Sequence, residues 1–254
     1  MEAILILIYV YAFVVGMCIA SFMNVVIYRV PLNISVAKGR SFCPSCKHSL
    51  NALDLIPIFS YLFLGGKCRY CHAKIPVRDT LLEILGGCLA MVCFYRYGFD
   101  WMTLISFAFS MVLMAISMID LDTMIIPDRL NVCVLMIAIL SMFLLDVPMM
   151  DRVIGALAVS VPMFLLNFLI PDCFGGGDIK LLAACGLMLG WKKLLVGMFI
   201  AVLLAGVVAI YLMITKKVDR KGHMAFGPYI CIGVFVSLLY GYEILGMYLS
   251  LFGL

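Results

Sequence analysis

Charged residues are scarce in this sequence. Of its 254 residues, 13% are charged and 66% are hydrophobic, whereas about a quarter of the residues in an average soluble domain are charged. So few charged side chains cannot cover the surface of a globule in water. The composition therefore excludes an ordinary soluble domain and predicts an all-α protein that crosses a membrane several times.

The chain also lacks the features of a cleaved signal peptide. Residues 3–28 form an uncharged run, and no basic segment precedes it, because Glu2 is acidic. The run is longer than the roughly 7–15 apolar residues of a signal sequence and is long enough to span a bilayer. We expect residues 1–28 to form a transmembrane helix that is retained.

Uncharged runs recur along the chain and predict about eight helices, with residues 80–254 forming a membrane-embedded domain. A spanning helix needs about 20 residues. The short second run is therefore expected to extend over about 80–97, and the short sixth run must be tilted, broken or partly outside the hydrocarbon. The runs cover residues 3–28, 84–95, 101–119, 130–145, 153–171, 179–191, 194–215 and 224–242.

Lys and Arg are unevenly distributed between the two sets of loops that eight helices leave. All but four of the 18 basic residues fall on one side, which includes the loop 29–79 and a cluster at 216–221. Cytoplasmic loops are enriched in Lys and Arg, so we expect the loop 29–79 to face the cytoplasm. The lipid bilayer is an expected partner, and no part of the sequence resembles a nucleic-acid-binding face.

Four of the eleven cysteines form two CxxC pairs in the loop 29–79: Cys43 with Cys46, and Cys68 with Cys71. Two such pairs can supply four thiolates to a tetrahedral zinc ion. The alternative, a pair of disulfides, is disfavoured in a reducing cytoplasm. A site closed by four sulfur atoms has no open position for a substrate, so we expect a structural zinc that folds a loop too small to build its own core.

Carboxylates occur at two places where an uncharged run ends on the predicted cytoplasmic side. Asp120 closes the third run, and Asp178 opens the sixth directly after three glycines. Ionisable groups near hydrocarbon are costly and usually functional. Two adjacent carboxylates can share a proton, so that one activates water while the other donates a hydrogen bond to a scissile carbonyl.

The residues alone leave alternatives open for both carboxylates. Asp122 and Asp128 compete with Asp120, and Asp178 also fits a helix N-cap. The three glycines fit a phosphate-binding loop only weakly, because the Walker spacing is absent. The alternative function is a transporter with an intramembrane aspartate ion site, although no inverted repeat is visible. A zinc-dependent peptidase is disfavoured because no HExxH pair occurs among the three histidines.

Five motifs together resemble the bacterial type IV prepilin peptidases, the leader peptidases of pilin and type II secretion systems. Gly175–Asp178 resembles the GxGD motif of that family, and the resemblance covers nearly the whole chain. The motifs are Ala20–Pro31, the two CxxC pairs with Gly65-Gly-Lys67 before the second, Ser117–Asp120 with Pro127-Asp128, Gly175–Lys180, and Phe226-Gly-Pro-Tyr229.

This resemblance implies that Asp120 and Asp178 are the catalytic aspartates of an enzyme in the bacterial inner membrane. Its substrates would be prepilins or pseudopilins, whose basic leader is cleaved at the cytoplasmic face. The loop 29–79 would be associated with methylation of the new N-terminus by S-adenosylmethionine. Gly66 and Lys67 are candidate cofactor-binding residues, with a turn packed against the zinc site as the alternative. Acidic residues near the dyad, among them Asp172, could attract the basic leader.

Overall fold

The computed structural model describes residues 2–170, 173–215 and 224–251. Asp172 and the basic cluster at 216–221 lie outside them. The described residues are helical apart from loops and two isolated β-bridges. The helices are α1 (Glu2–Arg29), a 3-10 turn (Ala52–Leu55), α2 (Phe59–Phe63), α3 (Val77–Tyr97), α4 (Trp101–Thr123), α5 (Asp128–Ser141), α6 (Met149–Ala158), α7 (Ser160–Leu169), α8 (Gly176–Ile214) and α9 (Gly227–Leu251).

Five helical segments within the described residues are long and apolar enough to cross a membrane. The expectation of an all-α protein that crosses the membrane several times is thus confirmed, whereas the number of eight helices stays a prediction. α8 counts once among the five although its backbone is broken at Gly190. The five are Glu2–Arg29, Trp101–Thr123, Met149–Leu169, Gly176–Ile214 and Gly227–Leu251.

The chain forms two compact units, and the first is Met1–Phe107. Within it α1 and α3 pack along each other in opposite directions. Near one end Asn24 Nδ2 donates to the Asp79 carbonyl over 3.1 Å. Further along, a Cβ on Gly16 would meet the Gly86 carbonyl and Gly87. Small residues therefore let the two backbones come together, as is common between helices in membranes.

The second unit is Ala108–Leu254, and α8 packs against α5, α6, α7 and α9 within it. Gly190 has φ 74° and ψ 169°, a conformation essentially restricted to glycine. A 39-residue helix would measure about 58 Å, longer than the about 40–45 Å of a whole bilayer. The expected irregularity of the sixth run is therefore a break that ends one helical segment and starts another.

A fully buried arginine supports this break. Arg152 is 1% exposed, and its guanidinium has only carbonyl and hydroxyl acceptors among the described residues. A cation near helix C-termini is favourable because unpaired carbonyls concentrate negative charge there. Arg152 thereby joins the end of α5 to the last turn before Gly190. Its acceptors are the carbonyls of Ser141, Leu145, Val147, Leu187 and Met188, and the Ser141 hydroxyl.

Candidate active site and candidate metal site

Asp120 lies in the last turn of α4 and is buried, with 5% of its surface exposed. Its Oδ2 accepts a 2.9 Å hydrogen bond from the backbone N–H of Gly227, the first residue of α9. A Cβ on Gly227 would lie 2.7 Å from the same oxygen. The start of α9 thus points an unpaired helix N–H at the carboxylate, which favours negative charge there.

Asp178 is the third residue of α8, and the N-cap residue of that helix is Gly175. The backbone N–H of Gly175 donates to the Asp178 carboxylate, which is the return contact of a capping box. Asp178 therefore contacts the cap from inside the helix instead of being the N-cap residue. Its other oxygen, Oδ1, is buried and accepts no hydrogen bond from the described residues.

The two carboxylates are close enough to interact electrostatically. Cys231 of α9 is buried beside them and interacts electrostatically with both carboxylates. Its thiol is hydrogen-bonded with the Ser117 side chain. Like charges in a buried site are relieved when the pair holds one proton. A buried carboxylate oxygen without a partner next to a second carboxylate is the arrangement expected of a proton-sharing pair.

The three glycines before Asp178 differ in their surroundings. A Cβ on Gly177 would lie 2.8 Å from Ile126 Cβ, so this glycine permits a close approach between α8 and the segment before α5. A Cβ on Gly175 would lie 2.9 Å from the Asp178 carboxylate. Nothing lies within 4 Å of the position for a Cβ on Gly176. Only Gly177 is therefore required by packing against another part of the chain.

Side chains of α5 and α7 form hydrogen bonds with the backbone around the glycine loop, residues 175–177. Asn131 Nδ2 donates to the Gly177 carbonyl over 3.3 Å. The Asn167 side chain donates to the Phe174 carbonyl and accepts from the Phe174 N–H, both over 2.7 Å. These bonds fix the backbone on both sides of Gly175, and with it the direction in which α8 begins.

The structure separates Asp120 from the alternatives that the sequence left open. Asp122 is exposed, because two residues along a helix change the direction of a side chain by about 200°. Asp128 is the first residue of α5 and pairs with Lys180 Nζ over 2.7 Å. Asp120 is the aspartate of this segment that is buried beside Asp178.

The motif Phe226-Gly-Pro-Tyr229 contains Gly227, but the sequence indicates no role for this residue. The sequence also does not indicate Asn131, Asn167 and Cys231 as neighbours of the site. Local sequence patterns do not predict such contacts, because the residues are far apart in the chain. Gly227 and Asp120, for example, are separated by 107 residues. The one available signal was a glycine followed by proline at the start of a predicted helix.

The four predicted metal ligands lie together in the first unit. The Sγ atoms of Cys43, Cys46, Cys68 and Cys71 all lie within 4.8 Å of one another, and those of Cys43 and Cys71 are 3.8 Å apart. The edge of a tetrahedron with metal–sulfur bonds of about 2.3 Å is about 3.8 Å. The cluster therefore has the size of a tetrahedral four-thiolate site.

The two CxxC turns repeat the same backbone pattern. In the first, the N–H of Cys43 donates to the His48 carbonyl, and Lys47 has φ 61°. In the second, the N–H of Cys68 donates to the Ala73 carbonyl, and His72 has φ 57°. Each turn thus presents its two sulfur atoms to the same side, and the two turns face each other.

The electrostatics of the cluster suit a cation. The backbone N–H of Cys46, more strongly than the opposing effect of burial, lowers the pKa of the Cys43 thiol to about 7. The N–H of Ala73 favours the Cys71 thiolate, but desolvation and the three neighbouring sulfur atoms raise the pKa of Cys71 to about 11. Four thiolates this close repel one another, and a bound metal ion removes that repulsion.

Gly66 and Lys67 lie in the turn before the second CxxC pair. Gly66 is buried with φ 69°, and the Tyr61 ring would lie 2.9 Å from a Cβ there. Lys67 is exposed and pairs through its backbone with Lys74. The role of these two residues in cofactor binding stays a prediction, and the backbone conformation gives Gly66 a structural reason to be glycine.

Two family models match the chain. The model described as the bacterial peptidase A24 N-terminal domain matches residues 14–97, and the one described as the type IV leader peptidase family matches residues 107–210. The first range contains the four clustered cysteines. The second contains Asp120 and Asp178.

Similar curated proteins carry the name prepilin leader peptidase/N-methyltransferase. One from Aeromonas salmonicida (strain A449) is 33% identical, over 94% of this chain and 92% of its own. One from Neisseria gonorrhoeae is 34% identical, over 85% of each chain. One from Bacillus subtilis (strain 168) is 29% identical, over 94% of this chain and 97% of its own. No solved structure matches the chain significantly.

Proposed function

The chain belongs to the type IV leader peptidase family, and from this premise we propose that it removes the leader of prepilins or pseudopilins and methylates the new N-terminus. Relatives that align over nearly their whole length carry both activities in their names. The alternative of an ion transporter has no support among these relatives. Prepilins are accordingly the proposed substrates.

We assign peptide cleavage to Asp120 and Asp178. The observation that carries this assignment is the interaction of two carboxylates. That of Asp120 is buried and bonded to the start of α9, and that of Asp178 is half-buried, with one buried oxygen that accepts no hydrogen bond from the described residues. In the proposed reaction the ionised member removes a proton from the attacking water. The protonated member donates a hydrogen bond to the scissile carbonyl, and a proton then passes to the leaving amine.

The placement of the dyad suits a substrate with a basic leader followed by an apolar helix. Asp120 ends a candidate membrane span and Asp178 begins another, so both belong at the edge of the hydrocarbon. A prepilin helix lying in the bilayer would present its cleavage site at that level. The proposed topology has eight helices, with this edge and the loop 29–79 on the cytoplasmic side of the inner membrane.

We assign the residues 29–79 to the methyl-transfer half of the enzyme, with 1–28 as its anchoring helix and 80–254 as the peptidase domain. The proposed metal is zinc, held by Cys43, Cys46, Cys68 and Cys71, and its contribution is to fix the loop. S-adenosylmethionine is the proposed methyl donor. Gly66 and Lys67 are the proposed cofactor-binding residues because they directly precede the second CxxC pair, in a motif that resembles that of the family.

Cleavage of a purified prepilin by the enzyme in proteoliposomes tests the dyad. Asp120→Asn and Asp178→Asn are each expected to lower kcat by about 10³-fold or more, because each removes one proton-transfer group. The matched control is Asp122→Asn, which changes an exposed aspartate on the same turn of α4 and should retain cleavage. Full cleavage by either dyad variant, or loss only in the control, contradicts the assignment.

A further inference from the structure

The loop that carries the cysteines has an exposed apolar segment. The 3-10 turn and α2, together residues 52–63, present large hydrophobic side chains to the surroundings, with Phe63 86% and Leu62 66% exposed. Phe59 and Leu53 are also exposed. Exposed apolar groups this close together are unusual on a surface that faces water and mark an interaction site.

A glutamate of α3, which packs along the candidate membrane span α1, sets the depth of this segment. Glu83 of α3 accepts a 2.9 Å hydrogen bond from the backbone N–H of Ile58 and another from the Ser21 side chain of α1. Ile58 has φ 62°, an unfavourable conformation for a β-branched residue. The Glu83 carboxylate therefore holds the backbone of Ile58 in this unfavourable conformation, next to the packed helices α1 and α3.

The depth of the Glu83 carboxylate in the bilayer follows from its position along α3 and from that of Ser21 along α1. Ser21 lies about 12 Å before the end of α1 at Arg29, and Glu83 lies about 9 Å after the start of α3 at Val77. α1 is about 42 Å long, which matches the thickness of a bilayer with its headgroups. Ile58 therefore lies near the boundary between headgroups and hydrocarbon.

The charge of the loop indicates what kind of partner contacts the exposed apolar side chains of residues 52–63. Residues 29–78 contain eight Lys and Arg but one acidic residue, Asp54, and Asp54 pairs with Arg69. Lys38, Arg40 and Lys67 are among the exposed basic side chains. Such an excess attracts anionic phospholipids and repels another basic segment, such as a basic leader.

We propose that residues 52–63 form an interfacial anchor, which inserts its apolar side chains at the hydrocarbon boundary while the surrounding basic residues contact anionic lipid headgroups. Surface-lying helices bury their apolar face by about 5–10 Å at this boundary, which agrees with the level set by Glu83. The anchor would hold the metal-bearing loop against the membrane on the side where α1 ends. This inference concerns membrane contact and does not depend on either enzymatic activity.

Photocrosslinking in proteoliposomes of phosphatidylcholine with phosphatidylglycerol tests the anchor. A benzophenone amino acid is placed at position 63 in the full chain, and mass spectrometry identifies its adducts. Position 22, exposed on α1, is the lipid-facing control, and position 37, exposed in the same loop, is the water-facing control. The proposal expects lipid adducts at 63 close to the yield at 22, background at 37, and a fall at 63 when phosphatidylglycerol is omitted.

Three results would overturn the anchor. One is background labelling at 63 while 22 labels lipid. Another is a lipid yield at 63 that does not exceed that at 37. The third is replacement of lipid adducts by protein adducts when a prepilin is added, which would make the surface a substrate site. If the probe at 63 makes the protein aggregate in detergent, the probe moves to the exposed position 62 and the same criteria apply.

Discussion

The aspartate site and the cysteine site are built in opposite ways. Asp120 and Asp178 come from different helices, and the backbone donor for Asp120 is 107 residues away. Each cysteine turn instead closes within six residues, through the bonds from Cys43 to His48 and from Cys68 to Ala73. The aspartate site depends on the packing of long helices, whereas the cysteine site depends on local turns and on the metal ion that we propose between them.

Because the two sites are built differently, we expect each to lose its structure independently of the other. A change in helix packing should displace a carboxylate and leave the cysteine turns intact. Loss of the proposed metal ion should loosen the loop, because four close thiolates repel one another without it. The two sites also lie in different compact units. Variants at one site are therefore expected to leave the other site intact.

Among variants that keep both aspartates, the largest effect is expected from the packing of the glycine loop, residues 175–177. Gly177→Ala places a Cβ within 2.8 Å of Ile126 Cβ, so α8 must shift, and displacements near 1 Å can lower the rate about 10²-fold. Gly176→Ala meets nothing within 4 Å and is the matched control. The measurement is kcat for prepilin cleavage alongside metal content. Equal rates for the two variants would show that the loop tolerates movement.

Substitution of a clustered cysteine is expected to have a smaller effect on cleavage and a large effect on metal binding. Cys68→Ser removes one buried ligand and should reduce zinc affinity by more than the 10–100-fold typical of losing an outer contact. Cys88→Ser, in α3 outside the cluster, is the control. Zinc content and methyl transfer should fall in the first variant while cleavage persists. Loss of cleavage together with zinc would contradict the separation of the two sites.

The smallest effect is expected from substitution of Asp54. This residue of the 3-10 turn forms an ion pair with Arg69 of the second cysteine turn. Burial opposes ionisation, but bonds from Arg69 and the Asn51 N–H lower the pKa of the Asp54 carboxyl. The stability that it contributes is thus present above the unfolded pKa of about 3.9 and is lost as pH falls through the lower folded pKa.

Asp54→Asn should therefore make the loop slightly more sensitive to protease, by the same factor between about pH 6 and pH 8, where the parent carboxyl stays ionised. Arg69 is 49% exposed, so salt should weaken the contribution. Limited proteolysis of Asp54→Asn and the parent at several pH values checks this. A difference that changes steeply across that range would point to another titrating group.

The sequence predicted the helices better than it predicted the contacts between them. Uncharged runs located the helical segments, and the short sixth run indicated an irregularity that the structure places at Gly190. Local spacing was also sufficient for the cysteine cluster, because a CxxC turn is determined by neighbouring residues. Hydropathy could not give the number of spans, since charged residues such as Glu83 and Arg152 lie inside helices.

The aspartate site was harder to predict because its geometry is tertiary. Composition and charge bias placed two aspartates near one membrane edge, but they did not separate Asp120 from Asp122. Family resemblance made that choice, and burial gives its physical reason. The contact with Gly227 required the fold, because only the packing of α9 against α4 brings an N–H to the carboxylate.

The central claim is that one chain cleaves a prepilin with Asp120 and Asp178 and then methylates the product. Intact-mass spectrometry of a prepilin co-expressed with the parent enzyme, with Asp178→Asn and with Asp122→Asn tests it most directly. We expect loss of the leader and gain of one methyl group with the parent and with Asp122→Asn, and an unprocessed prepilin with Asp178→Asn. A cleaved prepilin with Asp178→Asn, or an unprocessed one with the parent, would contradict it.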